Sequence, residues 1–230
     1  MDTARLVSFT IRVKESILSI QAKRNLHREA TKILLGKREI IERYIYRSPF
    51  FKTTLKPVNQ DQHAPLIIRK MIEAGQIMGV GPMASIAGAI AQEVGLSLAV
   101  YSDELIVENG GDIFLKSHTR RCIAIHAASS PFSEKLALEI KPTPQGISIC
   151  TSSGTAGHSF SFGKADAAVA ISESAYLADA AATAIGNVIQ TEEDIMEGIK
   201  IAQSTPGIVG AVIIKGEKLS VWGKVTLIPI

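Results

Sequence analysis

Cysteine, aromatic residues and long apolar runs are what this 230-residue chain has least of: two cysteines, an aromatic share of 5% and one tryptophan. Two cysteines, Cys122 and Cys150, cannot build a disulfide framework, so stability must come from a packed core and a reducing cytoplasm is the expected setting. No stretch of about 18 consecutive apolar residues occurs, so no membrane-spanning helix is expected. The opening Met1-Asp2-Thr3-Ala4-Arg5 lacks a basic segment followed by an apolar core, so no secretory leader is expected either. A net charge of +3 is too small to imply a nucleic-acid partner. The basic residues crowd between Arg5 and Lys56, which reads as a solvated helix face, with an RNA- or anion-facing surface as the other reading.

What the chain does have is 46% hydrophobic residues and length enough for a substantial core. A single domain over 1–230 is expected, with a basic hairpin-helix subregion over 1–60. Phe9, Ile11 and Val13 alternate with Thr10, Arg12 and Lys14; the alternation breaks at Glu15-Ser16 and resumes at Leu18 and Ile20, which predicts a two-strand hairpin. Leu26, Ala30, Ile33, Leu34, Ile41 and Tyr44 then follow helical spacing, with Asn25 as cap and Gly36 weakening the middle. Ser48-Pro49 ends that helix, and the segment up to Pro65 reads as an irregular surface loop.

A short helix over 64–75, a small-residue loop over 75–83 and a helix over 84–98 come next. Strands are predicted over 105–107, 113–115, 122–126, 136–140, 147–150 and 167–171. Helices over 176–189 and 192–203 follow, the second opened by Thr191 and three acidic residues. Strands over 208–214 and 219–222 close the chain, with an apolar segment Val225–Ile230 behind them. This mixed order predicts an α+β fold with largely antiparallel sheet, whose open edges are compatible with a homodimer.

Three distant polar segments could form one site. Asn109-Gly110-Gly111-Asp112 is an ideal tight turn, and its glycines would also let a nucleotide lie against the backbone while Asp112 accepts bonds from it. Thr151-Ser152-Ser153-Gly154 reads as a solvated loop, or as a set of hydroxyl and N–H donors aimed at phosphate; it lacks the lysine of a P-loop. His158 follows closely and could act as an acid, a base or a phosphate donor. Asp179 and Thr183 stand four residues apart in an alanine-rich helix, half of a hard-cation site. Cys150 is either a buried strand-end residue or an activated thiol.

Taken in order, Gly88-Ala89-Ile90-Ala91, Asn109-Gly110-Gly111-Asp112, Thr151-Ser152-Ser153-Gly154, His158 and Asp179-Ala180-Ala181-Ala182-Thr183 resemble the ApbE superfamily of flavin transferases, over roughly residues 75 to 190. The resemblance implies an ApbE-like, T-fold-related architecture with FAD beside the Gly-Gly-Asp turn. It implies Mg²⁺ held by Asp179, Thr183 and the main-chain carbonyl near Ala91, and a protein that accepts FMN. The sequence departs from the family where Gln92-Glu93 stands in place of Lys-Gly, where Ser153 is inserted, and where Ser159 to Lys164 replaces the usual segment after the histidine. It resembles a short cytoplasmic branch of the superfamily without an assigned activity, whose members are associated with sulfur metabolism in anaerobes. The expected function is Mg²⁺-dependent FAD or nucleotide binding, with FAD cleavage and FMN transfer as the reaction and Asp112 and His158 as catalytic candidates. The alternatives are a thiol protein of sulfide traffic using Cys150, and a non-catalytic binding module.

Overall fold

The computed structural model describes residues 6–155 and 162–230. Its centre is an eight-stranded sheet in which every neighbouring pair is antiparallel. The strands are β1 (Val7–Val13), β2 (Ser16–Ala22), β3 (Leu105–Asn109), β4 (Asp112–Ser117), β7 (Thr143–Ser152), β8 (Ala167–Ser172), β9 (Ile208–Lys215) and β10 (Lys218–Gly223), in that order across the sheet. A second sheet of three strands is built from β5 (Arg121–Ala124), β6 (Leu136–Ile140) and β11 (Leu227–Pro229), in the order β11-β6-β5. Six helices accompany them: α1 (His27–Arg47), α2 (Phe50–Thr53), α3 (Leu66–Met78), α4 (Ile86–Leu98), α5 (Ala175–Val188) and α6 (Ile195–Ser204).

The alternation read in the first hairpin is the alternation observed. Along β2 every second residue is buried, from Ser16 through Leu18 and Ile20 to Ala22, and β2 then pairs with β3, so the hairpin is part of the main sheet. Strand β8 is buried on both faces because both are covered. Ala168 and Ala170 face the α5 side with Cys150, Ala178 and Ala181, while Val169 and Ile171 meet Leu138, Ile140 and Ile125 of the smaller sheet's side. The result is three layers: helices, the large sheet and the small sheet. Small side chains on the helix side of the sheet let the alanine-rich α5 settle close to it.

Several expectations needed correction. The segment read as irregular before Pro65 contains α2, whose Phe51 is buried and meets Tyr44 edge-on at 5.0 Å between ring centroids. Helix α3 runs on through Gly75 to Met78 and stops at Gly79, which takes the left-handed conformation at φ 70°. The strand placed over 122–126 is Arg121–Ala124, leaving His126 outside it. The apolar carboxyl-terminal segment forms β11, which pairs with β6 through Leu227, Ile228 and Pro229 at one edge of the small sheet. No single helix among the described residues is long and apolar enough to cross a membrane.

Glycines decide how the chain closes after β7. A Cβ on Gly154 would stand 1.9 Å from the carbonyl oxygen of Gly163, and one on Gly163 would stand 1.7 Å from that of Gly186 at the end of α5. Three backbones therefore stack with no room for side chains. Changing Gly154 or Gly163 to alanine should destabilise the protein by about 3 kcal/mol, the upper range of overpacking costs; urea denaturation checks this, and the exposed Gly110→Ala serves as a comparison limited to turn strain.

Candidate functional site

Two buried carboxylates organise the site. Asp112 opens β4 and is 6% exposed; Asp179 lies in the second turn of α5 and is 9% exposed. Asp179 is held by the start of α4. That helix has no side-chain cap of its own, because the Ser85 hydroxyl donates to the Pro82 carbonyl at 2.9 Å. The Gly88 N–H donates to Asp179 Oδ2 at 2.8 Å, and the Ala87 N–H also bonds to this carboxylate. A side chain from a helix 90 residues downstream thus supplies the missing cap. A Cβ on Gly88 would lie 2.6 Å from the Ala175 carbonyl oxygen, so only glycine lets the two helices meet here.

The Asn109-Gly110-Gly111-Asp112 turn is a two-residue hairpin in which Asn109 faces Asp112 and both glycines have positive φ. The turn reading accounts for the glycines, while the two flanking side chains point inward. Asn109 donates from Nδ2 to the Ala87 carbonyl at 3.1 Å, tying the turn to the same helix start that Asp179 caps. The Thr151 N–H and the Cys150 thiol lie close enough to favour the Asp112 carboxylate, yet its Oδ1 is buried without a partner. Burial, and then the charge of Asp179, push the Asp112 carboxyl well above the usual range. Burial likewise pushes Asp179 up to about 7, against the pull of the two N–H groups.

The other sequence candidates fall at different distances from this pair. Thr183 is one turn beyond Asp179 on α5 and half-buried. Ala91 is buried inside α4, one turn past Gly88. A Cβ on Gly111 would stand 3.9 Å from the Thr151 carbonyl oxygen, so the Gly-Gly turn and the Thr151–Gly154 segment are neighbours. That segment is not the set of open donors its composition suggests. Thr151 and Ser152 belong to β7, the Gly154 N–H donates to the Ala165 carbonyl at 2.9 Å, and the Thr155 N–H donates to Ser153 Oγ at 3.2 Å. Thr155 in turn donates to Asp166 at 2.9 Å, which also accepts from the Gly216 N–H at 2.7 Å. His158 lies outside the described residues.

Cys150 is fully buried, and its sulfur lies 3.8 Å from the Ala175 carbonyl oxygen. Burial first, then the charges of Asp112 and Asp179, push the thiol well above its ordinary value. This is a neutral hydrogen-bond donor, the opposite of an activated nucleophile.

Sequence reasoning missed two features. Gln92 and Glu93, the departure from Lys-Gly, hold the helices together: Gln92 Oε1 accepts the first N–H of α5 at 2.8 Å, and Glu93 accepts from Tyr176 at 2.8 Å and from Lys37 at 2.6 Å. The second feature is a cleft of about 540 Å³. The hairpin tip Lys14-Glu15, Arg38 and Ile41 of α1, Lys52, and Met83, Ile86 and Ile90 near the start of α4 line it, and it reaches Asn109. Lys14 has φ 53°, an unusual conformation for a side-chain-bearing residue, and the buried Arg38 Nε has no partner. The break in alternation at Glu15-Ser16 was the available signal, although the helix it would face was not identifiable.

A family model described as AbpE bacteria matches residues 1–205. The chain belongs to that family. A UPF0280 protein of Methanosarcina acetivorans is 40% identical over 216 residues, which is 93% of this chain and 85% of the relative. A UPF0280 protein of Methanocaldococcus jannaschii is 38% identical over 203 residues, covering 86% and 82%. Among solved structures, a flavin transferase ApbE from Vibrio cholerae is similar at TM-score 0.64 and 12% identity, over 96% of this chain and 97% of that one. The flavinyl transferase ApbE of Pseudomonas stutzeri is similar at TM-score 0.58 and 16% identity, over 97% and 96%. The AbpE family member therefore has the ApbE-like fold read from its motifs.

Two outcomes are expected. In chelator, a folded-state carboxyl raised to about 7 favours the fold at acid pH, so this site's contribution is lost as pH rises from the ordinary carboxylate range through about 7. Glu104 and Glu93, held low by their cationic and hydroxyl partners, act in the opposite sense below that range. Urea midpoints should therefore peak near pH 5, and Asp112→Asn should flatten the loss on the alkaline side. Second, a thiol reagent should label the exposed Cys122 alone in the native protein, and both cysteines in denaturant.

Proposed function

We propose that this protein binds a flavin nucleotide at the Asp112–Asp179 pair and, with a divalent cation, cleaves FAD and transfers FMN to a hydroxyl acceptor. The observation that carries the reading is the carboxylate pair itself. Two acids are buried close enough for the charge of one to act on the other, one with an unpartnered oxygen, behind the Ala87 and Asn109 that line the cleft, in a chain whose fold is that of ApbE flavin transferases. Two adjacent buried carboxylates are costly unless protonated or neutralised by a cation. Asp179, Thr183 and the carbonyl of Ala91 would hold the ion, an oxygen set suited to Mg²⁺. Among the described residues no group of three or more His, Cys, Asp or Glu side chains is suited to a metal, so substrate oxygens would have to complete this set. The bound ion would supply neutralisation of the pyrophosphate and polarisation of its phosphorus–oxygen bonds.

The chain's own residues have separate tasks. The apolar floor of the cleft, Ile41, Met83, Ile86 and Ile90, suits a planar ring, and Lys52 suits a phosphate oxygen, while Lys14 and Arg38 are paired with Glu42 and Glu15 of the same lining and would have to exchange those carboxylates for phosphate. Gly110 and Gly111 leave the backbone open to the nucleotide, with Asn109, Thr151, Ser152, Ser153 and Gly154 bordering it. In the reaction a hydroxyl oxygen of an acceptor protein, or water, forms a bond to the FMN phosphorus. The anhydride bond breaks, AMP leaves with the bonding electron pair, and the hydroxyl proton passes to a base. Asp112 and His158 are the proposed bases. Asp112 is proposed because burial, and then the charge of Asp179, raise its proton affinity. Cys150, as a neutral buried thiol, has no nucleophilic part in this scheme.

The test is incubation of purified protein with FAD, with Mg²⁺ or with chelator, followed by chromatography for FMN and AMP. Metal-dependent appearance of AMP is expected. Asp112→Asn should lower the rate by at least about 100-fold, as loss of a general base does, while leaving the fold intact. Metal-independent binding of FAD, or an unchanged Mg²⁺ dependence in Asp179→Ala, would remove the cation from the reading.

A further inference from the structure

We infer that the groove between α1 and the carboxyl end of α4 is a docking surface for an acidic amphipathic helix of a partner protein. The groove encloses about 690 Å³ and is lined by Arg28, Glu29, Lys32, Ile33, Gly36, Lys37 and Ile40 on α1, and by Ser97 and Tyr101 on the other side. It shares no residue with the cleft or the carboxylate pair.

The decisive residue is Gly36. A glycine in the middle of a 21-residue helix costs roughly 0.5–1 kcal/mol relative to alanine. Elsewhere in this protein such glycines are explained by contact: a Cβ on Gly88, Gly95 or Gly198 would strike a neighbour at 2.6, 2.2 or 2.6 Å. At Gly36 no atom beyond the surrounding helix backbone lies within 4 Å of where the Cβ would sit, and φ is not in the left-handed region. Nothing inside the protein requires the glycine. It keeps the floor of the groove bare between Ile33 and Ile40, as a surface does when another backbone must come close.

Charge selects the occupant. Arg28 and Lys32 stand four residues apart at the start of α1, Arg24 precedes the helix, and none of the three has a carboxylate partner among the described residues. Arg24 lies over the Tyr101 ring at 5.9 Å. Lys37 is paired with Glu93, and Glu29 is the one carboxylate of the lining. At the same end Leu96, Val100 and Tyr101 are exposed at 44%, 79% and 46%. A bare apolar strip flanked by unpaired cations matches a helix with small and apolar residues on one face and carboxylates beside it. The apolar strip and Glu29 disfavour a nucleic-acid backbone, which would find carbon and a negative charge where it needs cations.

The probe is a fluorescein-labelled 16-residue helical peptide with Ala and Leu on one face and Glu on both flanks, against the same peptide with Gln for Glu. Fluorescence anisotropy should show saturable binding that falls at least about tenfold for the Gln peptide, a 1.4 kcal/mol loss. Arg28→Glu with Lys32→Glu should weaken binding by a similar factor. Gly36→Leu should abolish it while thermal unfolding shifts upward, because leucine is the better helix former and meets nothing inside the protein. Stability and binding thus move in opposite directions, which a folding defect cannot imitate. Absence of peptide binding, undiminished binding by Gly36→Leu, or tighter binding of a single-stranded RNA oligonucleotide than of the Glu peptide would overturn the inference.

Discussion

The Asp179 carboxylate is the constraint on which the helical layer depends. Its bonds to the Gly88 and Ala87 N–H groups begin a helix that cannot begin itself. The same bonds force α5 against α4 closely enough that position 88 must be glycine. Gln92 repeats the exchange in reverse, accepting the first N–H of α5 from within α4. Each helix therefore caps the other, and Asn109 adds the sheet to the pair through the Ala87 carbonyl. The carboxylate is fixed in a nonpolar setting by its structural task, and that same setting raises its proton affinity.

This double duty explains how much of the site could be read from the sequence. Asp179 and Thr183 were legible as a pair because helical spacing is a local property. Asn109-Gly110-Gly111-Asp112 was legible as a hairpin because positive φ at two successive glycines is local too. The order of the motifs carried the fold, and the solved ApbE structures share it. The bonds made at the end of this segment, from Gly154 to Ala165 and from Thr155 to Asp166, were not legible because those partners sit across a reversal that composition does not announce. Cys150 left two readings open for the same reason: its environment is set by Asp112 on the neighbouring strand and Ala175 on the helix above.

Elements followed the same division. The alternation of β2 and the capping box at Thr191 with Asp194 lie within a few residues of one another, and both were evident. Helix α2 was hidden because its four residues are too few to show a period, and only the burial of Phe51 against Tyr44 secures them. The carboxyl-terminal strand was recognisable as apolar, but its partner β6, about 90 residues earlier, was not.

The position of the first hairpin has a consequence for how the chain is made. Strand β2 meets β3 with Ala22 opposite Leu105 and Leu18 opposite Asn109, so the amino-terminal strands find their place only after four helices have been synthesised. At a ribosomal rate of about 5–20 residues per second, the hairpin waits on the order of ten seconds with its inner face uncovered. Early in that interval α1 is the first element able to shelter Ile11, Leu18 and Ile20, the residues with which its own Ala30 and Leu34 share a core. The basic amino-terminal third thus has to be kept soluble as a nascent chain before it becomes an edge of the sheet, and its excess of lysine and arginine suits that earlier life.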